Sequence, residues 1–155
     1  MMRVRPRLVS VLQIQQPDFA DRVLRILREE GFDACRFGIE VTESMPMHRL
    51  EEIAGPLRTL RACGVEISLD DFGTGYSSLS CLRRLPIDVV KIDRSLVPAV
   101  EAGSDALPIA RAIIAMSHSL GMKVLAEGVE NANQLEWLKD NRCDLFQGYH
   151  YSKPV

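Results

Sequence analysis

Short apolar runs alternate with helically spaced apolar residues along the 155-residue chain. Leu8 to Leu12 is a short β-like run. Phe19, Val23, Ile26 and Leu27 then recur at helical spacing until Gly31 stops them. Arg36 to Val41 predicts a second strand. Arg49 to Ala62 has a helical composition, with Gly55-Pro56 expected to kink or split it and Gly64 to end it. Val65 to Leu69 predicts a third strand, followed by a Gly73-Thr74-Gly75 turn and a short helix around Ser78 to Arg84 that Pro86 closes. Asp88 to Ile92, Lys123 to Ala126 and Cys143 to Phe146 predict strands four to six. Between them, Ile109, Ile113, Met116 and Leu120 mark an amphipathic helix ending at Gly121, and Gln134 to Lys139 forms the body of another.

Strands and helices joined by short connections imply parallel strands with right-handed crossovers. Two architectures fit, a doubly wound sheet and a (β/α) barrel. No G-x-G-x-x-G follows the first strand, which disfavours a dinucleotide-binding fold. A full barrel has eight strands and typically ~250 residues. The pattern here makes six, so a barrel reading leaves about a quarter of the barrel unaccounted for. No repeat, low-complexity tract or linker interrupts the pattern. Residues 1–7 read as a flexible basic tail, and 8–155 as one domain.

Polar residues fall at the C-terminal ends of successive strand candidates. Glu40 lies at the second, Asp70-Asp71 at the third, Lys91 near the end of the fourth, Glu127 at the fifth and Gln147 after the sixth. In a parallel (β/α) protein these ends share one face, where sites are built. Oxygen donors without His or Cys suit a hard ion such as Mg²⁺ or Mn²⁺. Asp70 and Asp71 face opposite ways in a regular strand, so both reach one ion only if the chain turns there. Two ions bridged by a carboxylate suit phosphodiester hydrolysis, with Lys91 holding the attacking water or offsetting phosphate charge. Glu130 reads as an ordinary first-turn acid. His48, His118 and His150 lack metal-like spacing, and the methionines read as core filler.

Composition narrows the partners. A net charge of −2 with no lysine-rich stripe argues against nucleic acid as a main partner. No apolar stretch approaches a membrane span, and the first residues lack the apolar region of a signal peptide. Cys35, Cys63, Cys81 and Cys143 are scattered without a CxxC pair, as expected of four buried thiols in a reducing cytoplasm.

The ordered motifs Glu-Val-Thr-Glu-Ser (40–44), Asp-Asp-Phe-Gly-Thr-Gly-Tyr-Ser-Ser-Leu (70–79), Leu-Pro-Ile-Asp-Val-Val-Lys-Ile-Asp-Arg-Ser (85–95), Ala-Glu-Gly-Val-Glu-Asn (126–131) and Gln-Gly-Tyr (147–149), then Ser152-Lys153-Pro154, carry a further reading. Together they resemble the EAL domain family from about Leu8 to the end. The resemblance implies an α/β fold, here an incomplete TIM-like (β/α) barrel lacking the family's first two strands. It implies Mg²⁺- or Mn²⁺-dependent hydrolysis of cyclic-di-GMP to linear pGpG. In that reading Glu40, Asp70 and Asp71 are metal ligands, Lys91 positions the water, and Glu127 orients water or the second metal. Gln147 helps hold the site, Tyr149 and Pro154 lie near a guanine, and Glu43 steadies the loop after Asp71.

The departures bear on activity. The Glu-Ala-Leu motif, whose glutamate is a family metal ligand, does not occur. Where the family places a ligating Asn ahead of x-Ser, this chain has Leu8-Val9-Ser10. Weakened metal binding and impaired hydrolysis are therefore expected, with a degenerate module that binds cyclic-di-GMP or a protein partner as the alternative and a folded remnant as a third reading. Exposed strand edges lead to the expectation of a homo-oligomer or a barrel completed by a partner.

Overall fold

A computed structural model describes residues 5–43, 49–73, 79–97 and 106–148. Among these, six strands alternate with helices: β1 (Arg5–Leu8), α1 (Val11–Ile14), α2 (Phe19–Glu29), β2 (Phe37–Thr42), α3 (Leu50–Ala62), β3 (Glu66–Phe72), α4 (Leu79–Arg84), β4 (Val89–Ile92), α5 (Ala106–Ser119), β5 (Lys123–Ala126), α6 (Ala132–Asp140) and β6 (Leu145–Phe146). The strands stand in the sheet in the order β1-β2-β3-β4-β5-β6. The pairs β1–β2, β4–β5 and β5–β6 are parallel, in registers that include Leu8↔Glu40, Lys91↔Leu125 and Ala126↔Phe146. A doubly wound sheet reverses its strand order at a switch point, whereas a (β/α) barrel keeps chain order. The sequential order therefore decides between the two architectures, in favour of the barrel type.

The chain divides into two compact units, Met1–Leu69 with Ser78–Asp88, and Asp70–Ser77 with Val89–Val155. In the first, α3 buries Leu50, Ile53, Ala54, Leu57 and Leu60, the i, i+3, i+4, i+7 stripe of a helix packed on one side. Ile39, Val41, Ile67 and Leu69 supply buried strand residues of the same unit. In the second, all four residues of β4 are buried, as in a parallel strand covered on both faces. Val124, Ala126, Val129 and Leu138 join that unit's core.

Each unit carries the same clamp at the start of a strand. Asp88, just before β4, accepts from the Ile67 N–H at 3.0 Å, and its own N–H donates to the Ile67 carbonyl at 2.8 Å. The Arg61 guanidinium holds its other carboxylate oxygen at 2.7 Å. Asp144, just before β6, accepts from the Val124 N–H at 2.8 Å and donates to the Val124 carbonyl at 3.2 Å. His118 Nε2 lies 2.8 Å from the same Asp144 oxygen. In both, an aspartate fixes the register of two strands and is steadied by a basic residue near the end of a helix.

Three expectations need correction. The first strand lies at Arg5–Leu8 rather than Leu8–Leu12, so Arg5 to Arg7 pair with Phe37 to Ile39 instead of belonging to a tail. The apolar run misleads because Ser10 interrupts it as a helix N-cap. Ser10 Oγ accepts from the Gln13 N–H at 3.3 Å, and the Gln13 side chain accepts from the Ser10 N–H at 3.0 Å. Second, α3 runs unbroken through Gly55-Pro56. Burial of its apolar stripe outweighs the one backbone hydrogen bond that a proline removes. Third, the thiols are not uniformly buried: Cys143 is, while Cys35 and Cys63 are exposed. Those two sit in connecting segments, which run over surfaces. The Cys81 side chain lies outside the described residues.

Candidate active site

Lys91 is the one polar residue of β4, set among Val89, Val90 and Ile92. Its side chain is only 9% exposed. A buried ammonium is stable only when paired. Here its Nζ lies 2.7 Å from Asp70 Oδ1 and 2.8 Å from Glu127 Oε1. Asp70 belongs to β3, and Glu127 follows β5 directly. Asp70 Oδ1 is shut off from solvent, and the ammonium is its partner. The second unit thus gathers a cation between two carboxylates from flanking strands.

The adjacent carboxylate, Asp71, sits at φ +57°, the left-handed region that Asp tolerates better than most residues. Along the end of β3, Asp70 is half-buried, Asp71 exposed and Phe72 buried. The turn expected from the glycines begins on Asp71 itself and continues at Gly73, φ +99°. Glu127 is fixed through its backbone, its N–H donating to the Ile92 carbonyl at 3.1 Å. Gln147, exposed, follows β6 and donates its N–H to the Ala126 carbonyl at 2.8 Å. That bond brings Gln147 to the strand end that carries Glu127.

Glu40 lies in β2 of the other unit, half-buried, with its carbonyl accepting from the Val9 N–H at 2.9 Å. Leu8 stands opposite it in register and is 62% exposed. Glu43 follows β2 by one residue and is half-buried. The loop it was expected to steady runs into residues beyond those described. Tyr149 and Pro154 also lie outside the described residues.

Asp70, Asp71 and Glu127 are hard oxygen donors of the kind that Mg²⁺ or Mn²⁺ prefers. Among the described residues, no three His, Cys, Asp or Glu side chains converge as a metal-holding cluster. The seen arrangement is an ammonium between carboxylates rather than a closed cation site.

Sequence reasoning missed the turn after Lys91. Asp93 accepts from the Ser95 N–H at 2.9 Å and caps a 3-10 turn over Arg94–Leu96. Burial acts to raise the Asp93 carboxyl, but hydrogen bonds from Ser95 and Arg94 and the Arg94 charge hold it below the ordinary carboxylate range. The signal available was an Asp with Ser two residues on, just past a strand end.

The EAL domain family profile matches residues 8–154, nearly the whole chain. This chain belongs to the EAL domain family. The cyclic di-GMP phosphodiesterase NbdA of Pseudomonas aeruginosa is 47% identical over 135 residues, 87% of this chain and 17% of that protein. The crystal structure of the EAL domain of Mycobacterium smegmatis DcpA superposes with a TM-score of 0.91 at 38% identity, over 98% of this chain and 68% of that one. Klebsiella pneumoniae BlrP1, as a manganese and cy-diGMP complex, superposes with a TM-score of 0.89 at 30% identity, over 99% of this chain and 40% of that one. The chain spans about a fifth of the curated relatives it matches.

Proposed function

We propose that this EAL domain segment serves metal-dependent hydrolysis of cyclic-di-GMP to linear pGpG. The observation that carries the reading is the buried Lys91 ammonium held between Asp70 and Glu127. A buried cation kept between carboxylates does little for stability that an apolar residue would not do. It is well suited to a reaction in which water adds to phosphorus and the P–O3′ bond breaks, leaving a 5′-phosphate and a 3′-hydroxyl. Lys91 would hold the attacking water and offset the charge growing on the phosphoryl oxygens. Glu127 would orient that water or the second metal. Gln147, Tyr149 and Pro154 would contact the nucleotide, and Glu43 would steady the loop after Asp71. Relatives whose structures carry cy-diGMP with manganese or calcium support both the substrate and the cation.

Glu40, Asp70 and Asp71 would hold Mg²⁺ or Mn²⁺, which when bound supplies Lewis-acid polarisation of the phosphate and a more acidic water. Leu8, exposed beside Glu40, offers no oxygen where the resemblance expects an asparagine. Metal binding is therefore weakened, on the order of 10–100-fold for one lost contributor. The same residue favours a second reading, a module that binds cyclic-di-GMP or a protein without cleaving it. A cytoplasmic setting fits both readings. No described helix is long and apolar enough to cross a membrane.

Incubation with cyclic-di-GMP and Mn²⁺, followed by product chromatography with calorimetry in parallel, separates the readings. Linear pGpG supports hydrolysis. Heat of binding with intact cyclic-di-GMP supports the module, and neither signal leaves a folded remnant.

A further inference from the structure

We propose that the turn Asp93–Leu96 is a positioning device that sets the spacing of the two carboxylates across Lys91, with Arg94 as its bearing point against Gly128. The inference rests on reading Lys91 and Glu127 as the hydrolytic pair.

The turn leaves β4 two residues after Lys91, so its place is tied to that ammonium. It is held from within: Asp93 accepts from the Ser95 N–H at 2.9 Å, and the Leu96 N–H donates to the Asp93 carbonyl at 3.0 Å. Two glycines lie flush against it. A Cβ built on Gly128 would stand 2.5 Å from Arg94 Cβ and 3.3 Å from Arg94 Cα. A Cβ on Gly73 would stand 2.6 Å from Leu96 Cδ1 and 3.1 Å from Ile113 Cδ1. Gly128 is the residue after Glu127, and Gly73 is three residues after Asp70. One short turn therefore bears on the residue after Glu127 and on the residue three beyond Asp70. The Glu127 N–H bond to the Ile92 carbonyl, 3.1 Å, closes the same assembly.

A third glycine extends the lock. A Cβ on Gly148 would fall 2.2 Å from the Val129 carbonyl oxygen, so Gln147 is held against the loop that Arg94 supports. Leu96 is buried, and the Arg94 atoms that face Gly128 lie at the base of its side chain. Both act by fixing where Asp70, Glu127 and Gln147 stand. At Gly128 packing this close leaves no slack for a methyl group, whereas Gly73 faces side-chain tips that can give way; displacement of about 1 Å at a reacting centre can cost roughly 100-fold in rate.

Gly128 gives the test, with the double variant needed beside it, because its φ of +69° adds backbone strain to any substitution and only the clash, not that strain, is relieved at Arg94. Gly128→Ala drives a methyl into Arg94 Cβ. Arg94→Gly in the same chain removes that Cβ. The readout is the Lys91 ammonium resonance in ¹⁵N–¹H NMR of the whole chain, observable when the group is buried and ion-paired, with melting temperature alongside. Gly128→Ala is expected to shift or broaden that resonance and to lower kcat about 10–100-fold with KM within a few-fold. The double variant is expected to return the resonance, and most of kcat, toward the parent. A Gly128→Ala resonance identical to the parent overturns the proposal. So does a double variant no nearer the parent than the single. If Gly128→Ala does not fold, the double variant must; failure of both also overturns it. The resonance needs no turnover, so a parent chain without hydrolysis sinks the functional reading and leaves this one standing on its own result.

Discussion

Asp88 shows how much of this fold rests on single backbone contacts. Its carboxylate fills the Ile67 N–H, and Arg61 only steadies it. Losing the acceptor strands a backbone donor, which costs about 1–3 kcal/mol, whereas a half-exposed ion pair contributes about 0–1 kcal/mol. Asp88→Ala is therefore expected to destabilise clearly more than Arg61→Ala in urea unfolding; equal losses would mean that the charge pair dominates. Cys143 makes a second residue-scale prediction. Burial pushes its thiol up to about 11 from an ordinary 9.0. Between those values the unfolded chain releases the proton and the folded chain keeps it. The stability is full below pH 9 and is lost as pH rises through 11, by roughly 2–3 kcal/mol at most. Native Cys143 should resist alkylation long after Cys35 and Cys63 have reacted, as peptide mapping would show. At this scale the position of Lys91 was legible as a lone polar residue in a buried apolar run, and that of Glu127 as the acid that follows one. Their pairing with Asp70 was not, because spacing in sequence carries no information about which strands become neighbours. Nor was Arg94, whose role appears only when the glycine facing it is seen.

Among the elements, β5 was readable to the residue and β4 to within one, because Asp88 ends the apolar run as a clamp rather than as strand. β1 was misplaced because a helix cap inside an apolar run looks like a strand residue until its hydrogen bonds are known. Pro6 fits the observed placement, since β1 stands at an end of the sheet order, where a missing N–H is tolerated. The same reasoning bears on α3. Pro56 removes a helical hydrogen bond and crowds the preceding turn, while lowering the entropy of the unfolded chain. The first two effects are larger. Pro56→Ala is expected to stabilise by about 1 kcal/mol, seen as a rise of a few degrees in Tm; a fall would show that the helix is bent to need the proline.

For the whole chain, the sheet order settled what periodicity left open, because a barrel segment and a doubly wound sheet share the same local pattern and differ only in which strands meet. Among the described residues that order places β1 and β6 at its two ends. The central claim is that Lys91, between Asp70 and Glu127, works in phosphodiester hydrolysis. The most direct measurement compares the parent and Lys91→Ala in their conversion of cyclic-di-GMP to linear pGpG with Mn²⁺, with binding followed by calorimetry. The account predicts pGpG from the parent, at least ~100-fold less from Lys91→Ala, and binding within a few-fold in both. Equal conversion by the two chains, or none by a parent that binds the nucleotide, would contradict it.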